Sequence, residues 1–298
     1  MAQNVKPSYR HNRQEYFKRL LTLQKNGYDP LGQQRVTSIK DIFEYFKFRN
    51  DQDSNSVTQV LAIGTSNGHG DIPIIDVLTS RFQRIEYTVV EPAEDEIHRF
   101  RELVKRRQEQ GGWHAAQFKF YSMTIEQYLG ELETHKLSDA SGFDIIHAQH
   151  CAYHFKDPGS IYQKLYELLA KGGILFNVID VGAVSELFLM VEDFYATLKI
   201  ELERHSTVSL QEIMKRRLPE AHLSVVLCRN VKVSECFKED SEEGNAILES
   251  LVEMQNFRNT VPGEFVDKIL ALLKKSSLQT GGDMIFPAEE EASVFLKV

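Results

Sequence analysis

Val60-Leu61-Ala62-Ile63-Gly64-Thr65-Ser66-Asn67-Gly68-His69-Gly70-Asp71 is the stretch on which the fold is read. The apolar run over 57–63 has the length of a buried strand, and the apolar stretch over 71–82 has helical character. Between them, Gly64 and Gly68 let the backbone turn sharply and approach a ligand closely, because no Cβ intrudes. The glycine spacing is not the G-x-G-x-x-G that seats a pyrophosphate. It suits a ligand that has none.

The same alternation continues downstream. Ile85 to Val90 form a second apolar run ending at Glu91-Pro92, and a charged helix is expected over 93–109. Phe118-Lys119-Phe120-Tyr121 precedes a helix near 124–135, and Phe143-Asp144-Ile145-Ile146-His147 makes a fourth strand. A helix over 158–170 is expected to stop at Lys171-Gly172-Gly173, since glycine commonly ends a helix, with a strand from Ile174 to Ile179 after it. Strands alternating with helices predict βαβ units and a mostly parallel sheet flanked by helices. In such sheets ligands sit beyond the carboxyl ends of the strands, near the point where strand order reverses.

The flanks are less regular. Tyr16, Phe17, Leu20, Leu21 and Leu23 lie near one helical stripe, and Ile39, Ile42, Phe43 and Phe46 near another. The polar run 51–56 is a natural boundary. Beyond 183, helices are expected over 185–203 and 209–217, strands near 222–227 and 230–233, helices at 243–254 and 263–275, and a closing strand at 293–297. The chain therefore divides into an N-terminal helical segment (1–56), a core (57–183) and a C-terminal part that completes the sheet (184–298).

Composition narrows the function. With 298 residues, 42% hydrophobic, the chain can bury a sizeable core. A formal net charge of −8 argues against non-specific nucleic-acid binding, which needs a positive footprint. Cys151, Cys228 and Cys236 have no metal-like spacing, so neither a disulfide framework nor a metal site is expected. No apolar run approaches membrane-spanning length, and a cytoplasmic location is expected.

Residues at successive strand ends make one constellation. Glu91 stands after the second strand, where a carboxylate can accept both hydroxyls of a ribose. Ser122-Met123-Thr124-Ile125 follows the third strand, and Gln149-His150 follows the fourth. His150 and His154 titrate in the working pH range and are candidates to orient an acceptor or take its proton. Read by themselves, they are also ordinary loop residues. Glu289-Glu290-Glu291 reads as a solvated face, or as a lure for a cationic amine if it curls over a pocket.

The loop resembles the G-x-G-x-G turn of class I S-adenosylmethionine-dependent methyltransferases, with Ser66 at the middle glycine. The chain is similar to histamine N-methyltransferases over nearly its whole length. The similarity is carried by Val90-Glu91-Pro92, Glu102-Leu103-Val104, Phe143 to His147 and Tyr153-His154-Phe155-Lys156-Asp157. In the C-terminal third, Val233-Ser234-Glu235-Cys236-Phe237 and Asn256-Phe257-Arg258-Asn259-Thr260-Val261-Pro262 carry it. The resemblance implies a Rossmann-like class I methyltransferase fold with a smaller substrate-covering region. It implies a monomeric, metal-free cytosolic enzyme that uses S-adenosyl-L-methionine to methylate a nitrogen of a small imidazole amine.

On that resemblance Gly64, Gly68 and Glu91 match cofactor positions, joined by Ser66 and Thr124, while Glu96, Ile125 and Gln149 occupy contact positions where the family residue is usually different. Catalytic roles fall to His150, Tyr153 and His154. Tyr16, Phe17, Asn26, His150, Tyr153 and Phe257 are the substrate-binding candidates, with core packing the other reading of Tyr16 and Phe17. Several acceptor positions depart from the family. Asn26 or Gln24 stands where a carboxylate is expected, His150 where an amide is expected, and Ala288 where an asparagine is expected. Val184 and Phe188 lie near the places of tryptophans that wall the family's pocket. Two other readings stay open: a binding protein of the same fold without turnover, and a methyltransferase with an oxygen, sulfur or carboxylate acceptor. An NAD-dependent oxidoreductase is disfavoured by the glycine spacing.

Overall fold

Parallel strands buried on both faces must be apolar nearly throughout, and the first strands of this chain obey that rule. The computed structural model describes residues 37, 39–43, 56–134, 142–199 and 205–298. In order, it contains β1 (Thr58–Ile63), α1 (Ile72–Arg81), β2 (Ile85–Val90), α2 (Glu94–Glu109), β3 (Ala116–Tyr121) and α3 (Ile125–Glu133). Then come β4 (Phe143–Gln149), α4 (Pro158–Leu168), β5 (Leu169–Val181), α5 (Gly182–Thr197), α6 (Thr207–Arg217) and β6 (Leu223–Lys232). Last are α7 (Glu242–Leu251), α8 (Phe257–Thr260), α9 (Gly263–Ser276), β7 (Leu278–Thr280) and β8 (Asp283–Leu296).

The strand order is β3-β2-β1-β4-β5-β8-β6, with β7 paired to β8. β1 pairs in parallel with both β2 and β4, so the order reverses there, at the switch point where such sheets bind ligands. β2 pairs with β3 and β4 with β5, also in parallel, whereas β7 and β8 are antiparallel. Helices follow the strands for local reasons. α2 buries Ile97, Phe100, Leu103 and Val104, a stripe at helical spacing. Thr124 caps α3 through a reciprocal box with Gln127, and the Asp157 carboxylate accepts the Ser160 N–H ahead of Pro158 at the start of α4.

The described residues divide into two compact units that alternate along the sequence. One takes 37–179, 205–226 and Glu291–Val298, and the other takes 180–199 and Leu227–Glu290. The second unit has its own core. Val184, Leu187 and Val191 of α5 pack with Ile247, Leu248, Phe257 and Ile269, and Phe194 stacks on Phe265 at 4.3 Å between ring centres.

Among the differences from the sequence expectation, three concern the sheet. The helix expected to reach residue 170 ends at Leu168, and β5 is already running through Lys171-Gly172-Gly173. These glycines serve the sheet. A Cβ on Gly173 would stand 2.7 Å from the Phe143 carbonyl oxygen, at the place where the β4–β5 register shifts. The two strands expected at 222–227 and 230–233 are one continuous strand, β6. The closing strand starts ten residues early, at Asp283, because Phe286, Ala288, Glu290 and Ala292 keep a period of two toward the interior.

Behind the β1 loop lies a buried polar network that the sequence pattern concealed. The Tyr87 hydroxyl donates to Asp71 Oδ1 at 2.8 Å and lies 2.7 Å from His147 Nε2. With its proton committed to the carboxylate, the hydroxyl accepts from His147 Nε2–H, which fixes the neutral tautomer. All three side chains are almost fully buried, and burial pushes the His147 imidazole from 6.5 down to about 3. The unfolded chain therefore binds a proton at His147 that the folded chain refuses, and this group's effect on stability grows more unfavourable as pH falls.

Urea unfolding of wild type should lose up to about 1.4 kcal/mol per pH unit to this residue below about pH 6. His147→Gln keeps a side-chain N–H and removes the titration. The variant should show a shallower loss of stability between about pH 6 and about pH 4.5, by close to one proton's worth. Parallel pH slopes in wild type and variant would assign the acid sensitivity elsewhere.

Candidate functional site

In the larger unit the strand ends are level. Ile63 pairs with Val90, Val90 with Tyr121, and Ile63 with Ala148. The residues that follow, Gly64, Glu91, Ser122 and Gln149, therefore line one edge of the sheet. Backbone bonds carry this register past the strands. Gly64 N–H donates to the Val90 carbonyl at 2.9 Å, Glu91 N–H to that of Tyr121 at 3.1 Å, and His150 N–H to that of Val178 at 2.9 Å.

The β1 loop needs its glycines. Gly64 has φ +62°, and a Cβ there would stand 2.3 Å from Cys151 Cβ. Gly68 has φ +78°, and its Cβ would enter the ring of Phe100, which is fully buried and unable to swing away. Between them Ser66 adopts φ +49°, in the left-handed region that costs a non-glycine residue about 1 kcal/mol or more. His150, one residue past β4, is also left-handed, at φ +53°. Non-glycine residues held this way cluster at functional sites.

Glu91 is the centre of the arrangement. Its carboxylate is 8% exposed and accepts two backbone N–H groups, Ser66 at 3.0 Å on Oε2 and Ala93 at 2.9 Å on Oε1. A carboxylate held in a set orientation by backbone amides is the kind of acceptor that recognises paired hydroxyls. Glu96, 4% exposed on the first turn of α2, accepts the Ser66 hydroxyl at 3.0 Å and Arg99 at 2.8 Å. The structure thus bonds Ser66 to both Glu91 and Glu96, on the loop that Gly64 and Gly68 turn.

The remaining predicted residues are placed as follows. Thr124 is engaged in the α3 cap, and Ile125 beside it is buried. Gln149 ends β4 and reaches the Gly70 carbonyl at a long 3.5 Å. His150 is half-buried, Tyr153 is buried in the single turn Ala152–His154, and His154 is exposed. Phe257 is fully buried in the core of the other unit, edge-on to Phe265. Tyr16, Phe17 and Asn26 lie outside the described residues.

Two features escaped sequence reading. Cys151 packs over Gly64, and its thiol donates to the Ile63 carbonyl at 3.3 Å, so it ties the β4 loop to the β1 loop. Burial, and then the charges of Glu91 and Asp71, hold that thiol well above its usual range and protonated. A cysteine two residues past a strand carries no sequence signal for this. The acidic run also differs from expectation and is no solvated face. Glu290 is fully buried against Arg229, and Asp180 lies 3.8 Å from the same guanidinium. Glu291 accepts from Gln211, Ser224 and Ser293, and these bonds depress its pKa against the opposing effect of burial. The signal was present in the period of two. Glu290 falls on the interior face of β8, where only a paired carboxylate can sit.

Comparison with known proteins supplies the family. A profile described as a methyltransferase domain matches residues 9–224. The chain is 24% identical to histamine N-methyltransferase of Bos taurus over 238 residues, covering 78% of this chain and 80% of that one. It is 22% identical to carnosine N-methyltransferase 2 of Gallus gallus, with 78% and 71% covered. Among solved structures, a putative methyltransferase from Bacillus halodurans superposes with a TM-score of 0.51 at 17% identity, covering 87% of this chain and 97% of that one. The parallel sheet, its switch point at β1 and the helices between strands are those of a Rossmann-like class I methyltransferase, and the chain belongs to the methyltransferase-domain family.

Proposed function

We propose that this methyltransferase uses S-adenosyl-L-methionine to methylate a nitrogen of a small imidazole or other aromatic amine. The observation that carries the cofactor half is the Glu91 carboxylate, held by two backbone N–H groups at a level strand end beside a loop turned by two glycines of positive φ. The donor set fits. A fixed carboxylate suits a ribose diol, and Gly64 and Gly68 let the loop beside it turn and pack tightly against Cys151 and Phe100. On this reading Thr124 and Ile125 border the adenine and Gln149 the methionine end. A Haemonchus contortus phosphoethanolamine N-methyltransferase 2, whose structure holds S-adenosylhomocysteine, has a TM-score of 0.50 to this chain at 17% identity, covering 97% of this chain and 58% of that one.

When bound, the cofactor supplies an electrophilic methyl group on a sulfonium. What remains for the protein is alignment and exclusion of water, which together provide much of such a rate. On this reading His150, half-buried one residue past β4, orients the acceptor or takes its proton. Buried Tyr153 supports that turn from within, and its carbonyl accepts the His205 N–H at 2.8 Å. His154 is exposed and suited to passing a proton to water. Similarity to histamine and carnosine N-methyltransferases supports the amine acceptor, and His150 in place of an amide favours an acceptor other than histamine itself. Among the described residues no helix is long and apolar enough to cross a membrane, and a monomeric cytosolic enzyme with a small-molecule partner is the reading we adopt. The left-handed Ser66 at a glycine position favours a second reading, a binding protein without turnover.

Calorimetry with S-adenosylhomocysteine and with NAD tests the cofactor. Wild type should bind the sulfur nucleoside, and Glu91→Ala should weaken that binding at least about tenfold. An unchanged dissociation constant would remove Glu91 from the ribose, and a preference for NAD would end the methyltransferase reading.

A methyl-transfer screen over histamine, other biogenic amines and imidazole acids then separates enzyme from binder. His150→Gln should raise kcat/KM for histamine relative to the best acceptor by about tenfold, the scale of one polar contact. No change in relative preference would place the acceptor determinant elsewhere.

A further inference from the structure

Two departures from the family pattern sit together in this chain. Ser66 stands at the middle glycine of the loop, and Glu96 stands at a position where the family residue is usually different. In the structure they are bonded to one another. Ser66 Oγ donates to Glu96 Oε2 at 3.0 Å, while the N–H of the same serine donates to Glu91 Oε2 at 3.0 Å. Glu96 is itself anchored, since its other oxygen accepts Arg99 at 2.8 Å and the side chain is 4% exposed. Ser66 pays for a left-handed backbone, φ +49°, that glycine would adopt freely.

We infer that Ser66 and Glu96 form a latch that aims the Ser66 N–H at Glu91, so that Glu96 is a positioning residue for the cofactor carboxylate. This rests on Glu91 holding the ribose. The chemistry is specific in direction. Glu96 carries no hydrogen to donate when ionised, so it serves as the acceptor that seats a hydroxyl and a guanidinium. The serine hydroxyl is the only part of the loop residue that can reach such an acceptor while its N–H is turned to Glu91. Without the latch, the side chain at 66 offsets none of the cost of the left-handed turn, and the N–H leaves the carboxylate. Glycine needs no latch.

The test measures S-adenosylhomocysteine binding by calorimetry in a small set of variants, with thermal unfolding recorded for each. Ser66→Ala should weaken binding about tenfold, the scale of a hydrogen bond to a charged group, while Ser66→Gly should stay within about threefold of wild type. Glu96→Ala should cost about tenfold alone and under about twofold in the Ser66→Gly background. Glu96→Gln keeps an acceptor for the hydroxyl and should restore most of the affinity. For an S-adenosylhomocysteine analogue lacking both ribose hydroxyls, the Ser66→Ala penalty should fall below about twofold, which a general loss of structure would not produce.

An equal Glu96→Ala penalty in both backgrounds would make Glu96 a direct contact and overturn the latch. So would a Ser66→Ala penalty that persists with the analogue. Failure of wild type to bind S-adenosylhomocysteine would instead overturn the cofactor reading and the latch with it.

Discussion

β1 is flanked in parallel by β2 on one side and β4 on the other, and the whole site depends on that arrangement. Parallel strands with matched register end together, so their next residues form a row and not a staircase. Helices that cross over from each strand cannot share the space beyond the switch, and a crevice is left there. Gly64 lets the two sides of the switch meet. Because it has no Cβ, Cys151 can lie over it and hold the β4 loop against the β1 loop. A methyl group at residue 64 would collide with Cys151 and part the β4 loop from the β1 loop.

The same constraint shows why some of this could be read from sequence and some could not. β1, β2 and β4 were legible because burial on both faces forces continuous apolar runs, and Glu91 was legible because it comes directly after such a run. The Lys171-Gly172-Gly173 segment misled for a physical reason. Glycine ends helices, but it also admits a close carbonyl at a register shift, and only the pairing of β4 with β5 tells which applies. The Asp71–Tyr87–His147 network was invisible because its members are 16 and 60 residues apart. His147 reads as one polar residue in a strand until its partner appears. Glu290 is the opposite case, since its period-two position announced burial while its place in an acidic run suggested solvent.

The second unit follows a different logic. Its core joins aliphatic side chains of helices to Val231 of β6 and Phe286 of β8, with Phe194 stacked on Phe265 and Phe257 edge-on to Phe265. One residue of that cluster, Phe257, also belongs to the segment that resembles histamine N-methyltransferases. Complete burial makes it a packing element in any reading, so a role toward substrate would have to act on the shape of the unit as well as by contact. Substitution there would change folding before it changed recognition.

Charge connects the loop to the ligand it suits. Asp71, Glu91 and Glu96 are all buried near the β1 loop, and each accepts from a neutral donor: a phenol, two backbone amides and a hydroxyl. Neutral donors stabilise a carboxylate without cancelling its field. The field is felt at Cys151, whose thiol is held protonated by Glu91 and Asp71 in addition to burial. A sulfonium carries a net positive charge, and it gains from such a field where a pyrophosphate would lose. The glycine spacing and the buried carboxylates therefore weigh against the same competitor, one through backbone shape and the other through charge.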